Sequence, residues 1–447
     1  MLRRAAALLP PGTSLVGAGT VVLGLASYIQ LAAAGRALPS DRMAGVSVLW
    51  TLVFSVGLGL FFPVEQEVTR LVAARVVAGR PVAPVLRRAA VAALVLLAAV
   101  CVPLAVFAHA VAGRLFDGDT ALVGALCAAF AALALAYVTR GVLAGTGHFA
   151  AYGSQLAVDG VLRVVLSVVL AAAHTRQALP FAAVLTVPTL VSVAATAPWV
   201  LRAARPLPGG PVLRWSVLRA GLLALIPATL LAQLLVNISV ISVKLLAPHD
   251  TAFVTALLSA VVLARVPLFV FGSLQASLLR GLSTAVAAGD RAAYRQLLLR
   301  TSAFTALLGG SGGAVAVAFG PWLVPRLFGT PALLGWSDFA WLSAGTLCYM
   351  IAMVLGQALQ AIGGHSGQLL AWVVGTAVLV GVTLSPLPIR DRVEIAYTAG
   401  AAVTVLMLTM RVMCTASLQP VRRMSRQAGW TDAIQGVNPG KHRQSVE

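Results

Sequence analysis

Long apolar runs separated by short polar connections fill this 447-residue chain. Each run suits the roughly 20 helical residues that cross a bilayer core about 30 Å thick, and none shows the strict alternation of a barrel strand. The pattern predicts an all-α fold, a polytopic membrane protein of about 12 transmembrane helices in two six-helix lobes. The predicted spans are 13–34, 43–64, 89–111, 120–142, 154–173, 179–201, 218–245, 251–272, 301–323, 337–359, 368–386 and 394–413.

The polar connection after the sixth span divides the chain. Six spans on either side give both halves the same direction of entry, which predicts parallel repeats related by an axis along the membrane normal. Residues 206–216 are rich in Pro and Gly, as in a linker, and the C-terminal residues are polar. The predicted units are an N-terminal six-helix lobe 1–205, a cytoplasmic linker 206–216, a C-terminal six-helix lobe 217–420 and a disordered cytoplasmic tail 421–447.

Short internal matches support two copies of one unit. Setting FFPVEQEVTRLVAARVVAG beside FGSLQASLLRGLSTAVAAG aligns Phe61 with Phe271, Arg70 with Arg280 and Gly79 with Gly289. Two further echoes follow in the same order, an Arg-Leu-Phe triplet and a Gly-His pair. In an apolar chain, this layout is typical of a transporter whose pathway lies between the halves.

Composition makes lipid the solvent of this chain. It has 60% apolar residues, 10% charged residues and a mean hydropathy of +0.94, whereas soluble domains carry about 25% charged residues. The net charge of +19 is concentrated in alternate connections: 22 Lys and Arg residues share the side of both termini, against seven on the other. The positive-inside rule therefore predicts cytoplasmic termini and explains the charge without nucleic acid.

The sequence indicates neither an enzyme nor a metal protein. The connections are too short for a folded catalytic domain, so an integral membrane glycosyl- or acyltransferase would lack room for its acid or histidine constellation. The four cysteines show no ligand spacing, and we expect neither a metal site nor a cofactor.

Charged side chains inside spans are the candidates for function. A charge at the centre of a span costs about 2.5 to 3.5 kcal/mol on insertion scales, so each needs a partner or a wet cavity. Asp159 and Arg163 are spaced i, i+4 and are predicted to pair, either as a buried structural pair or as a pair that holds and releases Arg163 for an anionic substrate. Arg265, deep in the eighth span and just before Pro267, favours a cavity role.

The seventh span adds further polar candidates. Lys244 lies near its outer end, where snorkelling competes with substrate binding. Gln233 and Asn237 are i, i+4 neighbours that suit either contacts to sugar hydroxyls or interhelical hydrogen bonds.

The repeated segments contribute a carboxylate and two arginines. Glu65 faces Gln275 in the repeat alignment, so the acid occurs in one half only, either as a coupling site or as a solvated interfacial residue. Arg70 and Arg280 are predicted to flank the cytoplasmic mouth as a gate, or to enforce topology.

Two motifs resemble a known family. RGVLAGTGHFAAYGSQLAVDGVLRVVL, at the turn between the fourth and fifth spans, and FFPVEQEVTR resemble polysaccharide-biosynthesis flippases, the Wzx-like branch of the multidrug/oligosaccharidyl-lipid/polysaccharide exporter (MOP) superfamily. The resemblance implies two six-helix lobes around a cationic cavity, with Arg140, Arg163 and Arg265 as cavity or cavity-edge cations. It further implies alternating access and flipping of a lipid-linked oligosaccharide or cell-wall precursor across the bacterial plasma (inner) membrane.

The expected partners follow from that resemblance: a polyprenyl pyrophosphate-linked glycan, membrane lipids, and a polysaccharide polymerase or glycosyltransferase. A multidrug exporter of the same superfamily is the nearest rival, although it is expected to line its cavity with acids and aromatics. A major-facilitator carrier shares the number of spans but not the signature between spans two and three. A non-transporting scaffold is a further alternative.

Overall fold

The computed structural model describes residues 13–205, 214–246, 256–257, 260–261, 263–264, 266–272, 274–328, 332–386 and 388–418. Within these ranges the chain is helical and contains no strand. Eleven segments of the described residues are long and apolar enough to cross a membrane, and they coincide with eleven of the twelve predicted spans. The other prediction, 251–272, is described only in part, at 256–257, 260–261, 263–264 and 266–272. The all-α, multi-span fold class is confirmed.

The helices of the N-terminal half are α1 (Thr13–Ala37), α2 (Ser40–Leu52), α3 (Leu58–Val77), α4 (Ala83–Val106), α5 (Ala108–Leu115), α6 (Thr120–Thr146), α7 (Phe149–Ala172), α8 (Ala178–Ala183) and α9 (Val187–Ala203). A π-helical segment, Val53–Gly57, joins α2 to α3. The C-terminal half contains α10 (Trp215–Leu246), α11 (Val266–Gly272), α12 (Gln275–Ala288), α13 (Arg291–Phe328), α14 (Trp336–Ala361), α15 (His365–Thr383) and α16 (Ile389–Leu418).

Hydrophobic packing separates the halves into two lobes. One cluster of buried apolar side chains runs from Val16 to Leu222, and a second runs from Ala228 to Val412. We call α1–α9 the N-lobe and α10–α16 the C-lobe. The lobes meet mainly where α3 packs against α10 and α12. The stretch predicted as a linker is partly helical because α10 begins at Trp215, while residues 206–213 lie outside the described ranges.

The second span is longer than its hydropathy indicates. It was predicted to end at residue 64, but the helical segment continues through Pro63 to Val77. Proline removes one backbone hydrogen bond without unfolding a helix whose sides are packed. Consequently the polar residues that follow Pro63 lie inside a buried helix rather than at a solvated interface, and Glu65 is only 3% exposed.

Backbone geometry matches the repeat seen in the sequence. Helices α3 and α12 both end at a left-handed glycine, Gly79 (φ +62°) and Gly289 (φ +72°), which adopts positive φ without the steric cost of a Cβ. The third echo is shifted by one residue. Gly147 (φ +83°), which ends α6, corresponds to Gly363 (φ +78°) and not, as the Gly-His alignment predicts, to Gly364.

Close helix contact positions the N-lobe site. A Cβ placed on Gly141 would lie 2.7 Å from the Val68 side chain, and one on Gly145 would lie 2.6 Å from that of Val72. These glycines form a GxxxG stripe that lets α6 lie directly against α3. The polar faces of α3 and α6 are thereby held side by side.

Candidate functional site

A cavity of about 290 Å³ lies between the lobes and is lined by both. Its volume is at the lower end of the range of small-molecule sites, about 300 to 1,000 Å³. The N-lobe wall comes from α1, α3, α6 and α7, and most of the C-lobe wall comes from α10, α14 and α15. The principal polar and aromatic lining residues are Glu65, Gln66, Tyr137, Arg140 and Tyr152 of the N-lobe and Gln233, Gln275, Tyr349, Gln357, Gln360, Gln368 and Trp372 of the C-lobe.

The charges of the described lining lie on the N-lobe wall. Glu65 accepts a hydrogen bond from the Tyr152 hydroxyl at 2.7 Å, while its Oε2 atom has no hydrogen-bond partner within the described part of the chain. The guanidinium of Arg140 lies 5.6 Å from the centre of the Tyr137 ring. Gln275, the repeat counterpart of Glu65, also lines the cavity, so related positions present an acid on one wall and an amide on the other.

Behind the N-lobe wall, Asp159 joins two arginines. Its carboxylate lies 2.9 Å from Arg163, as the i, i+4 spacing predicts, and 3.6 Å from Arg140. The Thr189 hydroxyl donates to the same carboxylate at 3.0 Å. Shared ionic and hydrogen-bonded contacts of this kind compensate charges that are removed from water.

Arg163 belongs to this cluster rather than to the described cavity lining. It is 3% exposed and stacks 5.8 Å from the centre of the Phe54 ring. A longer contact, 3.5 Å, links its guanidinium to the Gln30 side-chain oxygen. Arg140 and Arg163 were both predicted to be cavity cations. Arg140 reaches the cavity, whereas Arg163 contacts Asp159 behind the cavity wall.

The other predicted substrate contacts are distributed unevenly. Gln233 lines the cavity. Asn237 and Lys244 lie on the same helix, α10, but their side chains are outside the described part. Arg265 is also outside the described residues. The cationic cavity implied by the resemblance is therefore represented in the described lining by Arg140.

At the cytoplasmic end predicted from the charge bias, α3 carries a buried ion pair that faces the C-lobe. Arg70, predicted as a gate residue, donates two hydrogen bonds to Glu67, at 2.6 and 2.9 Å. His365 of the C-lobe lies 3.5 Å from the same carboxylate, and Glu67 is fully buried. His365 begins α15 and is buried beside this carboxylate, a contact that no spacing along the chain indicates.

Arg280, the second predicted gate residue, crosses between the lobes at the same end. Its Nε donates to the Gly145 carbonyl at 3.3 Å, and its guanidinium lies 5.7 Å from the centre of the Phe149 ring. Nearby, the Gln360 amide donates to Gln66 at 3.3 Å. These contacts, with that of His365, hold the lobes together at this end of the cavity.

Several site residues were missed from the sequence. Gln357, Gln360 and Gln368 line the cavity and are buried, yet they were not singled out. A detectable signal existed, because amides inside apolar spans are rarer than interfacial ones and tend to face a neighbour or a cavity. Tyr152 gave no such signal, since a tyrosine in a span is ordinary.

Together, the two helical lobes and the cavity between them define the class of protein: a polytopic α-helical membrane protein with the fold of MATE (multidrug and toxin extrusion) transporters. The structure of a mutant of the Vibrio cholerae MATE transporter VcmN superimposes with a TM-score of 0.79 at 16% identity, covering 94% of this chain and 98% of that one. A multidrug resistance MATE family transporter of the MOP superfamily in an outward-facing conformation gives 0.74 at 15% identity, with 94% and 96% covered.

A MOP superfamily transporter from Pyrococcus furiosus, described by the reverse polarity of its binding pocket as suggesting a different function, also gives 0.74. It is 15% identical and covers 92% of this chain and 96% of its own. At these levels of identity, the likenesses show the fold.

Two relatives in sequence come from Mycobacterium tuberculosis. The chain is 29% identical over 420 residues to a Mycobacterium tuberculosis (strain ATCC 25618 / H37Rv) protein named uncharacterized protein Rv1510, covering 89% of this chain and 91% of the relative. It is 27% identical over 398 residues to uncharacterized protein Rv3630 of the same strain, with 87% and 89% covered. No protein-family model matches the chain.

Proposed function

We propose that this chain is a membrane transporter that flips a polyprenyl pyrophosphate-linked oligosaccharide, or a related cell-wall precursor, from the cytoplasmic to the outer leaflet. The observation that carries the proposal is a cavity between two lobes with Arg140 on one wall and amides on the other. A guanidinium binds phosphate oxygens through paired N–H donors, and this interaction is stronger where water is excluded. The polyprenyl tail stays in the bilayer while the headgroup crosses.

The way in which the lobes are joined supports alternating access. The interlobe contacts of Arg280, His365 and Gln360 gather at one end of the cavity, so separating the lobes there requires few bonds to break. Rocking of two repeats about a central site is the usual transport motion of such folds. With the predicted topology, the conformation described here is closed toward the cytoplasm.

A multidrug exporter is the second candidate, and Glu65 favours it. A buried carboxylate beside Tyr137 and Tyr152 suits an organic cation, because tyrosine rings attract cations through their faces. Arg140 opposes this assignment since it places a positive charge on the same wall.

Reconstituted vesicles distinguish the two. The protein is incorporated into liposomes with a fluorescent lipid-linked oligosaccharide, and flipping is followed by quenching from outside. We expect Arg140→Ala to slow flipping by at least about tenfold, the equivalent of losing about 1.4 kcal/mol of binding at the transition state. Arg140→Lys keeps the positive charge but loses the paired N–H donors, so its flipping rate should lie between those of Arg140→Ala and the unmodified protein.

The matched control is Arg295→Ala, at an exposed arginine of α13. It should flip lipid at the rate of the unmodified protein. Unaltered flipping in Arg140→Ala, together with ethidium export that Glu65→Gln abolishes, would replace the glycan proposal with the multidrug one. In cells, deletion of the gene should accumulate lipid-linked intermediates, which mass spectrometry detects.

A further inference from the structure

The C-lobe wall of the cavity presents buried amides with open hydrogen-bonding atoms. Gln357 is 1% exposed, and neither atom of its amide has a hydrogen-bond partner within the described part of the chain. The side-chain oxygens of Gln360 and Gln368 are in the same condition. Buried polar groups in proteins are nearly always bonded, so atoms that line a cavity in this state indicate a ligand surface.

An aromatic pair completes this wall. Trp372 lines the cavity one helical turn after Gln368 and is 1% exposed. The Tyr349 ring lies 5.7 Å from it, tilted by 58°, which fixes the indole in place. The described lining residues of the C-lobe carry no charge, whereas the opposite wall contains Glu65 and Arg140.

Neighbouring backbone holds the amides in position. Gly356 leaves room for Gln368, because a Cβ there would lie 3.1 Å from the Gln368 Nε2 atom. Gln360 donates a hydrogen bond to Gln66 of the N-lobe at 3.3 Å, so one amide of the wall also contributes a contact between the lobes. The wall is therefore built by packing and is not a chance group of polar residues.

We propose that Gln357, Gln360, Gln368 and Trp372 form a subsite for an uncharged, hydroxyl-rich sugar ring, and that this wall discriminates against acidic sugars. Each amide both donates and accepts, as does each sugar hydroxyl, and an indole face packs against the C–H face of a pyranose. A carboxylate on the sugar would find no described cation on this wall, and it would face Glu65 across the cavity while Arg140 binds the diphosphate. The inference rests on the proposed function, in which a glycan headgroup enters the cavity.

The test is equilibrium binding to the purified full-length protein in nanodiscs, measured by calorimetry. Three probes are compared: farnesyl diphosphate, farnesyl diphosphate linked to glucose, and farnesyl diphosphate linked to glucuronic acid. We expect the glucose probe to bind at least about tenfold more tightly than farnesyl diphosphate, and the glucuronic acid probe to lose that gain.

Substitutions assign the gain to the wall. Gln357→Leu has a similar volume but no amide, and it should abolish the preference for the glucose probe while leaving farnesyl diphosphate binding unchanged. Gly356→Ala, which displaces Gln368 without removing a polar group, should reduce the preference several-fold. Gln296→Leu, at an exposed glutamine of α13, is the matched control and should change nothing.

Each outcome separates the two ideas. If all three probes bind equally, or if Gln357→Leu keeps the preference, the sugar subsite is wrong while transport of a lipid diphosphate stands. A tighter glucuronic acid probe would likewise overturn the subsite. If no probe binds to a folded protein, the proposed function and the subsite both fall.

Discussion

Replacing Arg280 with alanine is expected to shift the protein from the conformation described here toward one in which the lobes separate at the Arg280 end. Arg280 lies on α12 of the C-lobe, but both of its described contacts are to the N-lobe: the Gly145 carbonyl at 3.3 Å and the Phe149 ring at 5.7 Å. Both are lost when the lobes part, so the side chain stabilises one conformation only. A contact that is present in one conformation and absent from the other shifts the equilibrium between them.

The size of the shift follows from the two contacts. A hydrogen bond from a charged donor contributes about 1.5 to 3 kcal/mol, and the length of this one places it at the lower limit. The cation–π contact of a half-buried arginine adds about 0.5 kcal/mol. Their sum of about 2 kcal/mol changes the equilibrium constant about 30-fold, so a separated state populated at about 1% would rise to about a quarter of the molecules.

Spin-label distance measurements detect such a change. Labels at Ala150→Cys on α7 and Ser366→Cys on α15 lie at exposed positions of the two lobes at this end. The background must lack the native cysteines, which are Cys101, Cys127, Cys348 and Cys414. Arg280→Ala should add a longer distance to the distribution, with a ratio of long to short distances about 30-fold higher than in the unmodified protein.

Arg295→Ala, which removes an exposed arginine of the same lobe, provides the control and should leave the distribution unchanged. Arg280→Ala protein that stays monodisperse in size-exclusion chromatography and gives the same distances as the control would contradict this expectation. That result would mean that packing between α3 and α12 outweighs both contacts.

Two further predictions concern stability. Arg70→Met should strongly lower the apparent melting temperature in a thermal-shift assay, because leaving the fully buried Glu67 without this partner costs about 3 to 5 kcal/mol. Adding Glu67→Gln to this variant should recover most of the lost stability. If the double variant is no more stable than Arg70→Met, the ion pair is not the cause of the loss. Gly145→Leu should abolish the monodisperse peak in size-exclusion chromatography, since even its Cβ would lie 2.6 Å from the Val72 side chain, whereas Gly124→Leu, where a Cβ meets nothing within 4 Å, should fold normally.

Hydropathy was sufficient for the spans because bilayer thickness sets the length of an apolar helix. It failed at the end of α3, where alternating acids and arginine look like an interface. The helix stays buried there because Glu67 and Arg70, spaced i, i+3, neutralise each other on one face. The same spacing rule that paired Asp159 with Arg163 applied here as well, so this error was avoidable.

Tertiary relationships set the limit for the site. Spacing along one helix predicts the contact of Asp159 with Arg163, but Arg140 reaches that carboxylate from α6, and no local pattern shows it. The contact between Glu67 and His365 joins residues from different lobes. The order of residues along each helix is visible in a sequence, whereas the rotation of one helix against another is decided by packing.

The distribution of charge around the cavity affects how a bound substrate would be released. The formal net charge of the chain is +19, but in the described lining of the cavity Arg140 is opposed by Glu65, and Asp159 binds Arg140 from behind. A guanidinium that is partly neutralised in this way would hold the diphosphate of the proposed substrate less tightly than an unpaired one. In the proposed function, the remainder of the headgroup would then contribute to selectivity through amides whose hydrogen bonds exchange readily with water. Weak, divided binding of this kind favours turnover, because a transporter that held its anion tightly would be unable to release it on the far side.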